Sequence, residues 1–140
     1  MDNPIQSIKE ENHSILVFKD YKITKMNFYL NPDFEFKGPI DVSFDLDKKI
    51  NRLDSKQATV TIDCKVFNDA DVKNLPFTLE ISIAGIFGVE ADTSEDDLMK
   101  MCEINGTAVL FPFLRAAIST ITIAANQPSL VLPLLNINTL

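Results

Sequence analysis

The fold of this chain follows largely from residues 107–125, TAVLFPFLRAAISTITIAA. The stretch has one charged side chain, Arg115, and is apolar almost all round, which is typical of a helix covered on more than one side. Its length approaches that of a membrane span, but a central arginine opposes insertion by roughly 2.5–3.5 kcal/mol. We therefore predict a buried helix and no membrane insertion.

The residues on either side of this stretch predict where the helix begins and ends. Residues 92–97, DTSEDD, offer Thr93 or Ser94 as a capping residue with a carboxylate three positions later, so a first helical piece begins there. The Asn105-Gly106 pair is predicted to interrupt the helix before the apolar stretch. The predicted helix covers 92–125, and an extended, proline-broken apolar tail follows at 126–140.

The N-terminal part shows segments in which apolar and polar residues alternate, as in half-buried strands. These segments are residues 21–30, 40–50, 57–67 and 77–83, preceded by a flexible arm at 1–13. Short links favour antiparallel pairing, while the longer first link can cross over. We predict a single α+β domain over 1–140: a four-stranded antiparallel sheet (14–89), a meander with a crossover connection, packed by one long, interrupted C-terminal helix.

Charge is distributed unevenly along the chain, whose formal net charge is −7. All 20 acidic residues lie at or before Glu103, and Arg115 is the only charged residue after it. An acidic protein is a poor partner for nucleic acid or an anionic membrane surface, so we expect neither. The two cysteines form no CxxC pair and no signal sequence is recognisable, which predicts a cytoplasmic protein with reduced thiols.

No residue pattern predicts an enzyme, a metal site or a cofactor. The sequence has no phosphate loop, no GxGxxG motif and no metal-spaced set of cysteines and histidines. His13 with Cys64 or Cys102 is the one conceivable nucleophile and base, and we expect instead a mobile histidine and two packed thiols. The carboxylates of residues 92–97 either bind a cation or, as we favour, complement the helix dipole.

Three segments together carry a family resemblance. Residues 110–115 have the sequence LFPFLR, residues 127–137 have the sequence QPSLVLPLLNI, and Gly85-Ile86-Phe87 follows the fourth predicted strand. In this combination and order they resemble the SecB family of protein-export chaperones, and the likeness extends over residues 20–138. No single segment would be specific on its own.

The resemblance implies a homo-oligomer, a dimer or a dimer of dimers, that holds unfolded polypeptide clients in apolar grooves and keeps them competent for export or assembly. It implies transfer of clients to the SecA motor, although some relatives instead guard an antitoxin. The family has a second helix beyond the tail, so with the chain stopping at Leu140 one wall of the groove is expected to be short or missing.

The resemblance also places SecA-docking acids on the outer sheet face. Glu80 matches one such acid, whereas Lys25 and Tyr29 fall where the family favours carboxylates. Asp41 and Asp45, with Asp47, form a row that can replace them. The substitutions argue against SecA as the main partner. The alternative function is a scaffold, or a dedicated antitoxin-type chaperone without a role in SecA-dependent export.

Apolar side chains at irregular positions are the candidates for client contact, because sheet and helix packing do not obviously consume them. They are Phe34, Phe36, Phe87, Leu130, Val131 and Leu132. The alternative is that they close the core. For assembly, we predict that Thr120, Thr122 and Ala124 point outward from the helix and form the oligomer interface.

Overall fold

The computed structural model describes residues 15–68 and 74–133, in which a long helix covers one face of an antiparallel sheet. The arm predicted at 1–13, with His13, and the predicted tail from residue 134 onward lie outside the described residues. The strands are β1 (Val17–Leu30), β2 (Phe44–Arg52), β3 (Gln57–Val66) and β4 (Phe77–Gly88).

The connection between β1 and β2 crosses from one edge of the sheet to the other. The spatial order is β1-β4-β3-β2, with β1 paired to β4, β4 to β3 and β3 to β2, all antiparallel. The first two strands along the chain are therefore the two edge strands. The predicted α+β fold, a four-stranded antiparallel sheet with a crossover connection and one long C-terminal helix, is confirmed.

The core lies between the helix and the two central strands. Alternate residues of β3 are buried, because successive side chains of a strand point to opposite faces. The buried set is Ala58, Val60, Ile62, Cys64 and Val66 on β3, with Phe77, Leu79, Ile81 and Ile83 on β4. The residues between them face away from the helix, as their alternation predicted.

Three strands differ by several residues from the sequence prediction. β1 begins at Val17 and not at residue 21, because it pairs with β4 as far as Gly88. β4 continues to Gly88, because both of its neighbours still pair with it there, through Val17 and Gln57. β2 begins at Phe44 and not at residue 40. Its partner β3 ends opposite Phe44, and Phe67 then turns away with a positive φ of 52°, which leaves no partner strand for residues 40–43.

The helix is continuous where an interruption was predicted. Helix α1 (Glu95–Met101) is capped by Ser94, whose Oγ accepts the Asp97 N–H at 3.1 Å. A five-residue π-helical segment (Cys102–Gly106) then leads directly into α2 (Thr107–Ala124). Pro112 consequently lies well inside a helix and not in its first turns, on an exposed face.

Gly106 explains why the helix loosens at this point instead of breaking. A Cβ at this glycine would lie 3.1 Å from Val60 Cγ2 and 3.4 Å from Phe87 Cε2. The absence of a side chain at Gly106 therefore lets the helix approach the sheet closely. The wide π turn places Gly106 at this point of close approach.

The whole helix, Glu95–Ala124, is long and apolar enough to cross a membrane by length and composition. The core helix of a soluble protein meets the same criterion, so it is weak evidence of a span. Here one face of the helix packs against the sheet through Leu98, Leu110, Leu114 and Ile118.

Candidate functional site

Both ends of the crossover connection, residues 31–43, are tied to the end of the sheet where β3 leads into β4. Asn31 donates its backbone N–H to the Pro76 carbonyl at 2.9 Å and its side-chain amide to the Leu75 carbonyl at 3.0 Å. At the other end, the Phe67 N–H donates to the Ser43 carbonyl at 2.9 Å. These bonds fix the path of the connection across the end of the sheet.

A surface groove runs between this connection and the chain that follows α2. Two adjoining depressions share Phe36, Pro76 and Pro128 and together form what we call the crossover groove. Its other lining residues are Leu30, Asn31, Pro32, Phe34, Ile40, Val42, Phe67, Phe77, Asn126, Gln127, Ser129 and Leu130. Among these described residues none is charged, so the groove suits an apolar occupant.

Phe34 and Phe36 supply the aromatic surface of the groove. Their rings meet edge to face, with centroids 4.9 Å apart and an interplanar angle of 85°. Phe36 remains 48% exposed and Phe34 is half-buried. An exposed aromatic pair held on an anchored loop presents apolar area that the core does not use. The structure thus brings the two predicted phenylalanines together at one surface.

The three predicted tail residues divide between surface and interior. Leu130 lines the crossover groove, and Val131 is 62% exposed beside it. Leu132 is fully buried, so the expectation that it is exposed to clients is wrong. Its burial follows from the extended backbone of the segment, in which alternate side chains point in opposite directions.

The prediction that Phe87 is exposed to clients is also wrong. The residue is 0% exposed and stacks on Phe18, with ring centroids 5.2 Å apart, beneath Gly106. Because β4 extends to Gly88, Phe87 continues the inward alternation of the strand. The prediction of an exposed residue after the fourth strand depended on ending that strand too early.

Of the residues predicted to form an oligomer interface, Thr120 and Ala124 are exposed, but Thr122 is fully buried. The Thr122 hydroxyl accepts the Leu130 N–H at 3.0 Å, so Thr122 faces the tail and not solvent. The residues that α2 exposes at helical spacing, which we call the helix stripe, are instead Val109, Phe113, Ala116, Thr120 and Ile123. Phe113 lies at the border with the sheet, because its ring packs on Tyr21 of β1 with centroids 4.4 Å apart. Ile123 was not among the residues predicted from the sequence. Successive residues of the stripe are four, three, four and three positions apart, which is the spacing of one helix face and indicates Ile123.

The outer face of the sheet carries a polar depression that we call the outer trough. It is lined by Lys25, Asp45, Leu46, Asp47, Asp63, Lys65, Asn68, Glu80 and Ser82. Of the predicted docking acids, Glu80 and Asp45 belong to it, whereas Asp41 precedes β2 and does not.

The charges of the outer trough partly cancel. Lys25 Nζ lies 2.6 Å from Glu80 Oε1. The hydrogen bond from Lys25 holds the pKa of the Glu80 carboxyl below its usual range, and the same bond raises the pKa of Lys25. Asp63 accepts a hydrogen bond from the Ser82 hydroxyl. The negative charge of the outer trough is therefore smaller than its number of acidic residues indicates.

The cysteines are packing residues in the described structure. Cys64 and Cys102 are both buried, and burial raises the pKa of Cys64 to about 12 and that of Cys102 to about 11. Such thiols are protonated at neutral pH and are poor nucleophiles. Within residues 15–68 and 74–133, no group of three or more histidine, cysteine, aspartate or glutamate residues could hold a metal ion.

Comparisons with known proteins agree with this architecture. A family model described as Preprotein translocase subunit SecB matches residues 32–140. An uncharacterised protein of Methanocaldococcus jannaschii is 32% identical over 124 residues, which cover 87% of this chain and 79% of that protein. The protein-export protein SecB of Saccharophagus degradans is 27% identical over 110 residues, which cover 76% of this chain and 63% of that protein.

Among solved structures, the fold resembles a Mycobacterium tuberculosis SecB-like chaperone in complex with a ChAD peptide from the HigA1 antitoxin. The TM-score is 0.70 with 16% sequence identity, and the match covers 86% of this chain and 90% of that chain. The SecB-like family is non-enzymatic. Because the family model matches most of the chain, the protein belongs to the SecB family.

Proposed function

We propose that this protein is a cytoplasmic chaperone that binds unfolded or nascent polypeptides in the crossover groove and keeps them competent for export or assembly. The observation that carries the proposal is the surface of the groove. It is predominantly apolar between Phe36 and Leu130, and at its other end it carries the amides of Asn31, Asn126 and Gln127. Its described lining residues are uncharged, and Phe36 is 48% exposed within it. A surface of this kind binds apolar side chains of many sequences without selecting one of them.

The geometry of the groove supports binding of an extended chain. Its two walls, the crossover connection and the chain after α2, are irregular segments and leave an open channel between Phe36 and Leu130. The fold neighbour in M. tuberculosis was solved in complex with a peptide, which supports a polypeptide ligand for this fold.

We propose that the protein acts as a homo-oligomer, a dimer or a dimer of dimers. The helix stripe supports this, because Ile123 is 62% exposed and Phe113, although its ring packs on Tyr21 of β1 with centroids 4.4 Å apart, remains 37% exposed. Contacts between copies at such a face would bury it and align several crossover grooves on one assembly.

A second candidate is a dedicated chaperone of one partner, such as an antitoxin, without SecA-dependent export. The observation that favours it is the Lys25–Glu80 ion pair, which neutralises an acid of the outer trough. Like charge at a contact opposes docking, and SecA docking on the family's outer face relies on acidic side chains there.

Suppression of aggregation tests the proposed function. Citrate synthase is heated with increasing amounts of the purified protein, and light scattering is followed. We expect scattering to fall as the ratio of this protein to citrate synthase approaches one assembly per client. A scaffold that has lost client binding would leave scattering unchanged at every ratio, and this outcome would reject the proposal.

A further inference from the structure

The segment after α2 is held by side chains of the helix as a neighbouring strand would hold it. We define residues 129–133 as the tail segment. Leu130 donates its N–H to Thr122 Oγ1 at 3.0 Å, and its carbonyl accepts from Ser119 Oγ at 2.8 Å. Two residues on, the Leu132 carbonyl accepts from Arg115 Nε at 2.9 Å. These bonds engage the backbone of alternate residues, as one edge of a β-ladder does.

The three helix residues form a polar row on one face of α2. Arg115, Ser119 and Thr122 are spaced by four and three positions, which places them on the same side of a helix. All the bonds that this row makes to the tail segment go to backbone groups. The row therefore recognises an extended chain without reading its side chains.

The tail segment itself has the character of a chaperone client. Its residues 130–132 are apolar, and with Leu132 fully buried and Val131 62% exposed their side chains alternate between interior and surface, as those of an extended chain do. Pro128 and Pro133 flank Leu130 to Leu132, and proline favours extended backbone at the residue before it. A stretch of unfolded polypeptide with alternating apolar residues would offer the same backbone N–H and carbonyl groups to the polar row and a similar apolar side chain to the interior.

The tail segment separates the crossover groove from the polar row. Leu130 lines the groove on one side and bonds Ser119 and Thr122 on the other. Asn126, in the left-handed region with a φ of 57°, ends α2 as its cap, and the Gln127 N–H donates to the Thr122 carbonyl at 2.9 Å, so the part of the chain that would move begins beyond Gln127. If the tail segment moved away, the groove would extend as far as α2.

Among the residues that the structure describes, Arg115 donates a hydrogen bond through Nε and through no other nitrogen. Its guanidinium has five N–H donors in all. It is also the only charged residue after Glu103. The remaining donors could bond carbonyl oxygens of an incoming chain.

From these contacts we infer that the polar row Arg115, Ser119 and Thr122 is a second polypeptide-binding site, which the tail segment occupies until an extended apolar client displaces it. The inference rests on the proposed function and specifies its regulation. The tail segment competes with clients, so the protein binds weakly until a client supplies enough apolar contact in the crossover groove to replace it.

The Leu130 amide is the reporter for the test. The unfolded client is reduced and carboxymethylated α-lactalbumin, which cannot refold, and hydrogen exchange of the protein is followed by NMR with and without it. We expect the client to speed exchange of the Leu130 amide about tenfold or more, because it breaks the bond to Thr122. The amide of Ile81, in the central strand β4, serves as the internal control and should not change.

A matched pair of variants tests the same competition through affinity. Leu132→Ala removes a buried side chain of the tail segment, and Leu98→Ala removes an equally buried one from α1, away from it. We expect Leu132→Ala to bind the unfolded α-lactalbumin about tenfold more tightly, since displacement becomes easier, and Leu98→Ala to bind as the unmodified protein does.

The outcomes separate this inference from the proposed function. If the client binds but the Leu130 amide stays protected, or if Leu132→Ala binds no more tightly than Leu98→Ala, the inference is wrong and the chaperone function stands. If neither the unmodified protein nor Leu132→Ala binds the client, both are wrong.

Discussion

Lys25 on β1 and Glu80 on β4 form a hydrogen-bonded ion pair across the outer face of the sheet, with 2.6 Å between Nζ and Oε1. The pair is diagonal, because Lys25 lies opposite Ser82 and Glu80 lies opposite Asn27 in the strand register. Both side chains are substantially exposed, so the pair adds little to stability. We expect the pair to matter for recognition, because it places a cation beside a predicted docking acid.

We expect the unmodified protein to bind SecA weakly or not at all. Calorimetric titration with the zinc-loaded tail peptide of its host's SecA should give no saturable heat, because Lys25 repels a basic tail and neutralises Glu80. Lys25→Glu should create or strengthen binding, and added salt should weaken that binding. Salt-sensitive, low-micromolar binding by the unmodified protein would contradict this prediction and favour export through SecA.

The ion pair also predicts a pH dependence. Glu80 has a lowered pKa, first because Lys25 donates a hydrogen bond to it, so its stabilising contribution is present above the ordinary carboxyl pKa and is lost as the pH falls through the lowered one. Carbon-13 NMR of the side chain should show Glu80 titrating below 4.5, its ordinary value. Lys25→Met should raise that midpoint, and an unchanged midpoint would show that the pair does not form in solution.

Replacing both Phe34 and Phe36 with serine should weaken the suppression of aggregation while the fold is kept. We expect that about ten times as much protein or more will be needed for the same suppression of aggregation, because the substitutions remove two apolar side chains from the crossover groove. Leu53→Ser is the matched control, since Leu53 is exposed at the opposite end of the sheet. Light scattering and thermal unfolding are measured together. A collapse of the melting temperature would mean that the two phenylalanines belong to the core.

Phe87→Ala should destabilise the protein by about 3–5 kcal/mol, because it leaves a cavity beneath Gly106. Chemical denaturation measures the free energy of unfolding, and Phe36→Ala is the comparison. We expect the change at exposed Phe36 to be much smaller. Equal effects at the two positions would be inconsistent with the burial described for Phe87.

Ile123→Glu should reduce the size of the assembly, because it places a charge in the helix stripe where copies are proposed to meet. Ile104→Glu is the control, since Ile104 is a similarly exposed isoleucine outside the stripe. Sedimentation velocity at micromolar concentration distinguishes the species. A monomer before any substitution, or an equal loss of mass in both variants, would reject this interface.

Periodicity predicted the sheet because β3 and β4 are central strands with one face buried, and each buries every second residue. Strand ends were predicted less well, since they depend on partners that local sequence does not contain. Phe87 illustrates this: only its pairing with the neighbouring strands shows that β4 continues. The helix at Asn105 and Gly106 was misjudged for a similar reason, because packing against Val60 favours a glycine there.

For the candidate site, Phe34 and Phe36 stood out in the sequence because nothing in the strand pattern used them, and in the structure their rings meet in the crossover groove. That they contact clients stays a prediction. The polar row could not be found from the sequence. Arg115, Ser119 and Thr122 are unremarkable in an apolar helix until the chain after α2 turns back along them.

The π-helical segment Cys102–Gly106 has a consequence for insertions and deletions. A residue added to or removed from a helix rotates everything beyond it by about 100°. A π turn holds one residue more than an α turn, so deleting the exposed Ile104 would let the segment close into a regular α turn and would keep Arg115, Ser119 and Thr122 against the tail segment. The segment thus carries one spare residue: α2 tolerates the loss of one codon there, whereas a codon lost from the regular turns between it and Arg115 would rotate both the polar row and the helix stripe off their present faces.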